Sequence, residues 1–132
     1  MSKKQSKNNG DSYKRELMAQ LEALPVAIRG NELKLMEKTN LLNELDLKKS
    51  TIKRIQEHNI VEAIDKEGKA IFSNQIKRDA ELKRRLDSNT EYINLGKELR
   101  TLKDEIKEQE ITLGYFKRKF RAAEAVSRIG VE

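Results

Sequence analysis

The sequence predicts an all-α protein: an antiparallel helical hairpin or coiled coil, with a short turn or β-hairpin at residues 63–74, assembled as an oligomer. Three observations predict it. Charged residues make up 38% of the 132 and aromatics 5%, with one Pro and no Trp, a composition that builds long amphipathic helices and not sheets. Apolar residues recur at spacings of three and four through both halves of the chain. A single glycine-centred turn signal divides those halves. A chain this polar buries only a narrow stripe, and two helices alone leave a thin core, so at least a dimer is expected.

The elements follow in order. Residues 1–10, MSKKQSKNNG, are polar and basic and read as a disordered tail. Asp11 or Ser12 then caps an N-terminal helical arm over residues 11–62. Its seam is Leu17, Leu21, Leu24 and Ile28, then Leu35, Leu42, Leu45 and Ile52, with Ile55 taking over near the end. Pro25 lacks an N–H and clashes with the preceding turn, and Gly30-Asn31 is a second weak point, so a break is expected near 25–31. Lys38 and Lys49 fall on the seam, where a lysine can lay its methylenes along the groove and send its ammonium to water.

Asp65-Lys66-Glu67-Gly68-Lys69 is the turn, with Gly68 suited to positive φ and Ile64 and Ile71-Phe72 flanking it. Ser73 or Asn74 caps a C-terminal arm over residues 75–128. Ile76, Ala80, Leu82 and Leu86 mark its first segment. Three i,i+4 ion pairs have the favourable orientation: Glu44 with Lys48, Asp79 with Lys83 and Glu81 with Arg85. Ser88-Asn89-Thr90-Glu91 matches a capping box, so a restart is expected near 88–90. The strongest pattern follows. Tyr92, Leu95, Leu99, Leu102, Ile106, Gln109, Leu113, Phe116, Phe120 and Ala123 recur strictly at three and four, the signature of a left-handed coiled coil, with Gln109 the one polar member.

The net charge of +6 is unevenly spread: +4 over residues 1–15, −3 over 16–47, +5 over 48–85, −3 over 86–114 and +3 over 115–132. Folding back at Gly68 would pool the two ends into a pole of about +7, set the acidic blocks side by side and leave +5 at the turn. Two basic poles with an acidic waist suit a binder of phosphate backbone, and equally a self-assembling unit. Within this scheme Lys3, Lys4, Lys7, Lys14, Arg15, Lys117, Arg118, Lys119 and Arg121 are the candidate nucleic-acid contacts. The stretch YFKRKFR, residues 115–121, holds three aromatics and four bases. Phe116 and Phe120 continue the apolar stripe and read as core. Tyr115 lies off it and reads as a surface tyrosine able to meet a base or another subunit.

Other classes are set aside by what the residues lack. There are no cysteines and one histidine, His58, on a polar helical stretch, so zinc has no ligand set. No phosphate loop, nucleophile elbow or metalloprotease motif occurs. Carboxylates such as Asp104-Glu105 and Glu108 sit at helix-surface spacing, with no pocket-forming composition to desolvate them. No catalytic residue, metal or cofactor is expected, and the chain does not read as an enzyme. No apolar run approaches the ~20 residues of a membrane span, and the N-terminus lacks a signal-peptide core. Cytoplasmic residence without a membrane partner is therefore expected.

The stretches KEGKAIFSNQIKRDAELKRRL, EYINLGKEL and YFKRKFRAA carry a resemblance. Over residues 60–125 the chain resembles small coiled-coil proteins encoded by tailed bacteriophages and prophages. In those proteins a Lys-Gly-Lys turn leads to an aromatic, a Ser-Asn cap and an Arg-x-Ala-Glu-Leu helix, then to Glu-Tyr and a terminal Phe-Arg-Ala. The matching positions here are Lys66 to Lys69 (with Glu67 inserted in the turn), Phe72, Ser73-Asn74, Arg78, Ala80-Glu81-Leu82, Glu91-Tyr92 and Phe120-Arg121-Ala122. The resemblance implies a host-cell setting near recombination and replication functions. Two function classes follow. One is a DNA-metabolism accessory protein that binds single- or double-stranded DNA without sequence preference. The other is a protein–protein module, a scaffold or an inhibitor of a host nuclease or other host or phage protein, using the acidic waist (Asp104, Glu105, Glu108, Glu110) or exposed seam positions. A clamp for unfolded chains is a third option.

Overall fold

The computed structural model of the chain describes the backbone from Ser2 to Val131 and the side chains from Gly10 to Ile129. Among the described residues the fold is all-helical: α1 (Ser2–Glu62), α2 (Gln75–Asp87) and α3 (Thr90–Val131). No described helix is long and apolar enough to cross a membrane. Residues cluster into two compact units, Met1–Glu37 with Ile106–Glu132, and Lys38–Glu105.

In the first unit α1 runs unbroken where a tail and a break are expected from the sequence. It begins at Ser2 and continues through Pro25, Gly30 and Asn31. The helix survives the proline because its apolar face is engaged on both sides of it. Leu24 is buried, and Leu17, Leu21 and Ile28 are half-buried. Asn31 stabilises the second weak point, since its side-chain N–H donates to the Ala27 carbonyl at 2.6 Å. The Asn31 amide oxygen in turn accepts from the Gln109 side chain of α3. That bond pairs Gln109, the polar member of the α3 stripe, with Asn31 at the α1 weak point, so neither buries an unpaired amide there. On α3 the core members are Leu113 and Ala123, with Phe116 and Phe120 half-buried. Tyr13 and Leu17 share a groove with Ala122, Ala123 and Val126, while Asn31 meets Gln109. Rising position on α1 therefore meets falling position on α3 within this unit.

The second unit holds most of the buried apolar side chains: Leu45, Ile60, Leu86, Leu95, Leu99 and Leu102. The order is again antiparallel. Leu41 and Leu45 line a groove with Lys97, Thr101 and Leu102, and the Lys49 ammonium sits 4.8 Å from the centroid of the Tyr92 ring. Ile60 is the most buried side chain, 2% exposed, because α2 covers it: Ile60 lines a groove with Gln75, Arg78 and Leu82. Ile55, expected on the seam, is instead 52% exposed, and half-buried Gln56 lies nearer the packed face. Ile76, at the start of α2, is 82% exposed.

The turn is a compact loop held by one isolated antiparallel bridge, Ile64 with Ala70. The Asp65 N–H donates to the Lys69 carbonyl at 2.8 Å, and the Asp65 carboxylate accepts from the N–H groups of Glu67 and Lys69, each at 2.9 Å. Gly68 has φ 81°, the left-handed region that a side chain disfavours. Asn74 caps α2 by accepting from the Lys77 N–H at 2.9 Å. The capping box expected at Ser88 is differently built. Ser88 ends α2, its hydroxyl donating back to the carbonyls of Arg84 and Arg85, so Asn89 takes over and accepts from the Tyr92 N–H at 2.9 Å.

Candidate nucleic-acid interface

The candidate basic residues divide by what the structure describes. The side chains of Lys3, Lys4 and Lys7 lie outside the described residues. Lys14, Arg15, Lys117, Arg118, Lys119 and Arg121 are all exposed. Arg121 donates from its Nε–H to the Lys117 carbonyl at 3.5 Å, which leaves its terminal nitrogens to meet a ligand. All six belong to the first unit.

Two neighbouring grooves lie between α1 and α3, and each carries one of these bases. In the first, about 190 Å³, Tyr13, Glu16 and Leu17 face Lys119, Ala123 and Val126. In the second, about 540 Å³, Tyr13, Lys14, Met18 and Leu21 face Val126, Ser127 and Ile129. Lys14 and Lys119 therefore stand at the rims of neighbouring grooves that share Tyr13 and Val126. Glu16 is the acidic member of the first groove. Leu17 and Val126 give both grooves apolar lining, and their charged members are Glu16 and Lys119 in the first and Lys14 in the second.

The aromatic residues of YFKRKFR separate as the helical wheel requires. Phe116 and Phe120 are half-buried on the packed face, while Tyr115 is 52% exposed. The Tyr115 ring leans on Phe116, centroids 5.7 Å apart and planes tilted by 59°. The Lys119 ammonium lies 5.8 Å from the Tyr115 centroid. Tyr13, 56% exposed, is a member of the site that residue spacing does not single out. A signal for it exists: positions 13 and 123 are equidistant from Gly68, and Tyr13 lines a groove with Ala123.

In the second unit α2 carries a separate ionic feature. Glu81 accepts from Arg84 at 2.5 Å and from Arg85 at 2.9 Å. The Arg84 hydrogen bond, then that of Arg85, holds the Glu81 carboxyl at about 2, below its usual 4.5. The same contact raises the Arg84 guanidinium. The Asp79–Lys83 pair does not close; Asp79 instead accepts from the Gln75 side chain at 2.6 Å. Arg85 also lies 5.8 Å from the Phe72 ring, and Arg78 donates to the Phe72 carbonyl at 3.3 Å. Arg78 and Arg85 are thus half-buried and engaged within the protein, while Arg84 pairs with Glu81 and stays exposed.

Protein-family models, curated proteins and solved structures were compared with the chain, and none matches it.

Proposed function

We propose that the chain is a nucleic-acid-binding accessory protein of DNA metabolism, of the kind tailed phages encode, and a binding protein and not an enzyme. The observation that carries the reading is a pair of neighbouring grooves between α1 and α3 that share Tyr13, Leu17 and Val126, one lined by Lys119 and the other by Lys14. With Arg15, Lys117, Arg118 and Arg121 this gives one unit six exposed cations in two neighbouring segments. The accompanying fold reading is a helical hairpin turned at Gly68, its arms paired as an antiparallel coiled coil, working in the cytoplasm of the host cell. The opposed order of contacts inside each unit supports it.

The test is a salt titration of binding to a labelled oligonucleotide by fluorescence anisotropy. The logarithm of affinity should fall linearly with the logarithm of salt. Replacing Lys117, Arg118, Lys119 and Arg121 by Gln should reduce the slope by roughly 3, at about 0.7 to 0.9 for each phosphate no longer neutralised. Absence of affinity at low salt overturns the reading.

One observation favours a second reading. Val26, Leu33 and Met36 on α1 are 73%, 39% and 54% exposed, Val26 and Leu33 on the side away from Leu24 and Leu35 and Met36 at its edge. Exposed apolar residues in a row mark a protein contact. The occupant is a second copy if the chain self-associates, or a host or phage protein if it is a protein–protein module. Capture of one host protein by a chain that binds no oligonucleotide would favour the module.

A further inference from the structure

We propose that the basic grooves of the first unit take single-stranded DNA, with Tyr13 and Tyr115 as stacking platforms on either side of Lys119. The inference rests on the nucleic-acid reading above and narrows its ligand. Lys119 is the link between the rings. It lines one groove with Tyr13 of α1, and its ammonium lies 5.8 Å from the Tyr115 ring of α3. Both rings are more than half exposed, at 56% and 52%. Phe116 braces Tyr115 from within, so its orientation is held while part of its ring stays open to solvent.

The arrangement discriminates by physical form. A duplex hides the faces of its bases in the stack and offers only phosphates and base edges. A tyrosine face beside a lysine gains little from it. A single strand carries the same charge with its base faces free. It can therefore place a phosphate on Lys119 and a base on either ring at once, and stacking of this kind tolerates any base. The apolar floor at Leu17 and Val126 adds contact for a base and none for a phosphate. Tyr13, on α1, and Tyr115, on α3, lie on different elements, so a strand held by both would cross between helices.

The experiment compares three labelled ligands at one fixed, low salt concentration: a deoxythymidine oligomer of about 20 nucleotides, a mixed-sequence duplex of equal length and a uridine oligomer. The chain has no Trp, so quenching of tyrosine fluorescence reports stacking directly. Expected are binding of the deoxythymidine oligomer about tenfold tighter than the duplex, and tyrosine quenching by that oligomer alone of the two. Tyr13→Ala and Tyr115→Ala should each weaken single-strand binding several-fold, by a larger factor than they weaken duplex binding, with the salt slope unchanged because no phosphate contact is removed. Phe at either position should restore single-strand binding. Equal affinity for duplex and single strand, with a normal salt slope, overturns this inference and leaves the broader reading standing. So do alanine variants that bind single strands as the original does, or binding of the uridine oligomer without the deoxythymidine one. Failure to bind any of the three overturns both.

Discussion

At Ile60 and Ile55 the same side chain meets opposite fates five residues apart. Ile60 is 2% exposed beneath α2, while Ile55 is 52% exposed. Ile60→Ala should therefore cost about 3 kcal/mol of stability in urea unfolding, and Ile55→Ala no more than ~0.5 kcal/mol. Spacing alone favours Ile55, because it treats the α1 seam as facing one partner; a third helix covering its end is not in the pattern. Glu81 teaches a similar lesson. Arg85 at i,i+4 and Arg84 at i,i+3 both stand at helix-face spacing, but spacing alone does not say that one carboxylate takes both bonds. Together they hold Glu81 at about 2 against a usual 4.5. The folded value is the depressed one, so the pair's contribution is full above the usual value and is lost as pH falls through about 2. Melting of the original and of Glu81→Gln should differ near neutral pH, the variant melting lower, and should converge as the carboxylate protonates.

Among the elements, α1 shows how far packing overrides local preference. Pro25 cannot supply the bond from position 25 to the carbonyl of Leu21, yet the helix passes through it. Leu21, Leu24 and Ile28 are engaged on either side and outweigh the missing bond. Pro25 is itself exposed, so Pro25→Ala restores the bond with no clash to relieve elsewhere and should add roughly 1–3 kcal/mol, read as a higher melting temperature by circular dichroism. The α3 pattern is the most legible part of the sequence. Its ten positions from Tyr92 to Ala123 are buried or half-buried, because a strict three-and-four spacing leaves one packed face. The junction at Ser88 is legible as a break but not in its bonding, since Ser88 serves the end of α2 and Asn89 the start of α3. The groove pairing of Tyr13 with Lys119 requires knowing which positions meet across helices, which no single helical pattern contains.

For the molecule as a whole, the inventory of large apolar side chains is unbalanced. Nine hydrophobic residues are buried among the described ones, and seventeen large hydrophobics are exposed, Val26, Leu47, Val61 and Ile111 among them. Two- and three-helix layers cannot cover both sides of their apolar residues. A second copy would cover part of this surface, and then stability depends on mass action. The melting midpoint should rise with protein concentration over a hundredfold range, checked by calorimetry alongside light scattering; a constant midpoint would mean the exposed row serves another partner or none. The charge pattern, a net +6 laid out in blocks of alternating sign, is readable in full from the sequence.

Residues 64–71 around the turn at Gly68 are exposed throughout, and Lys66 and Lys69 offer trypsin two ready sites. A nick there would leave two fragments that stay associated. Met1–Glu37 packs with Ile106–Glu132, and Lys38–Glu105 also draws on both sides of the cut. The protein should thus be divisible into two separately expressed pieces that reassemble on mixing, a natural handle for splitting a reporter across the turn.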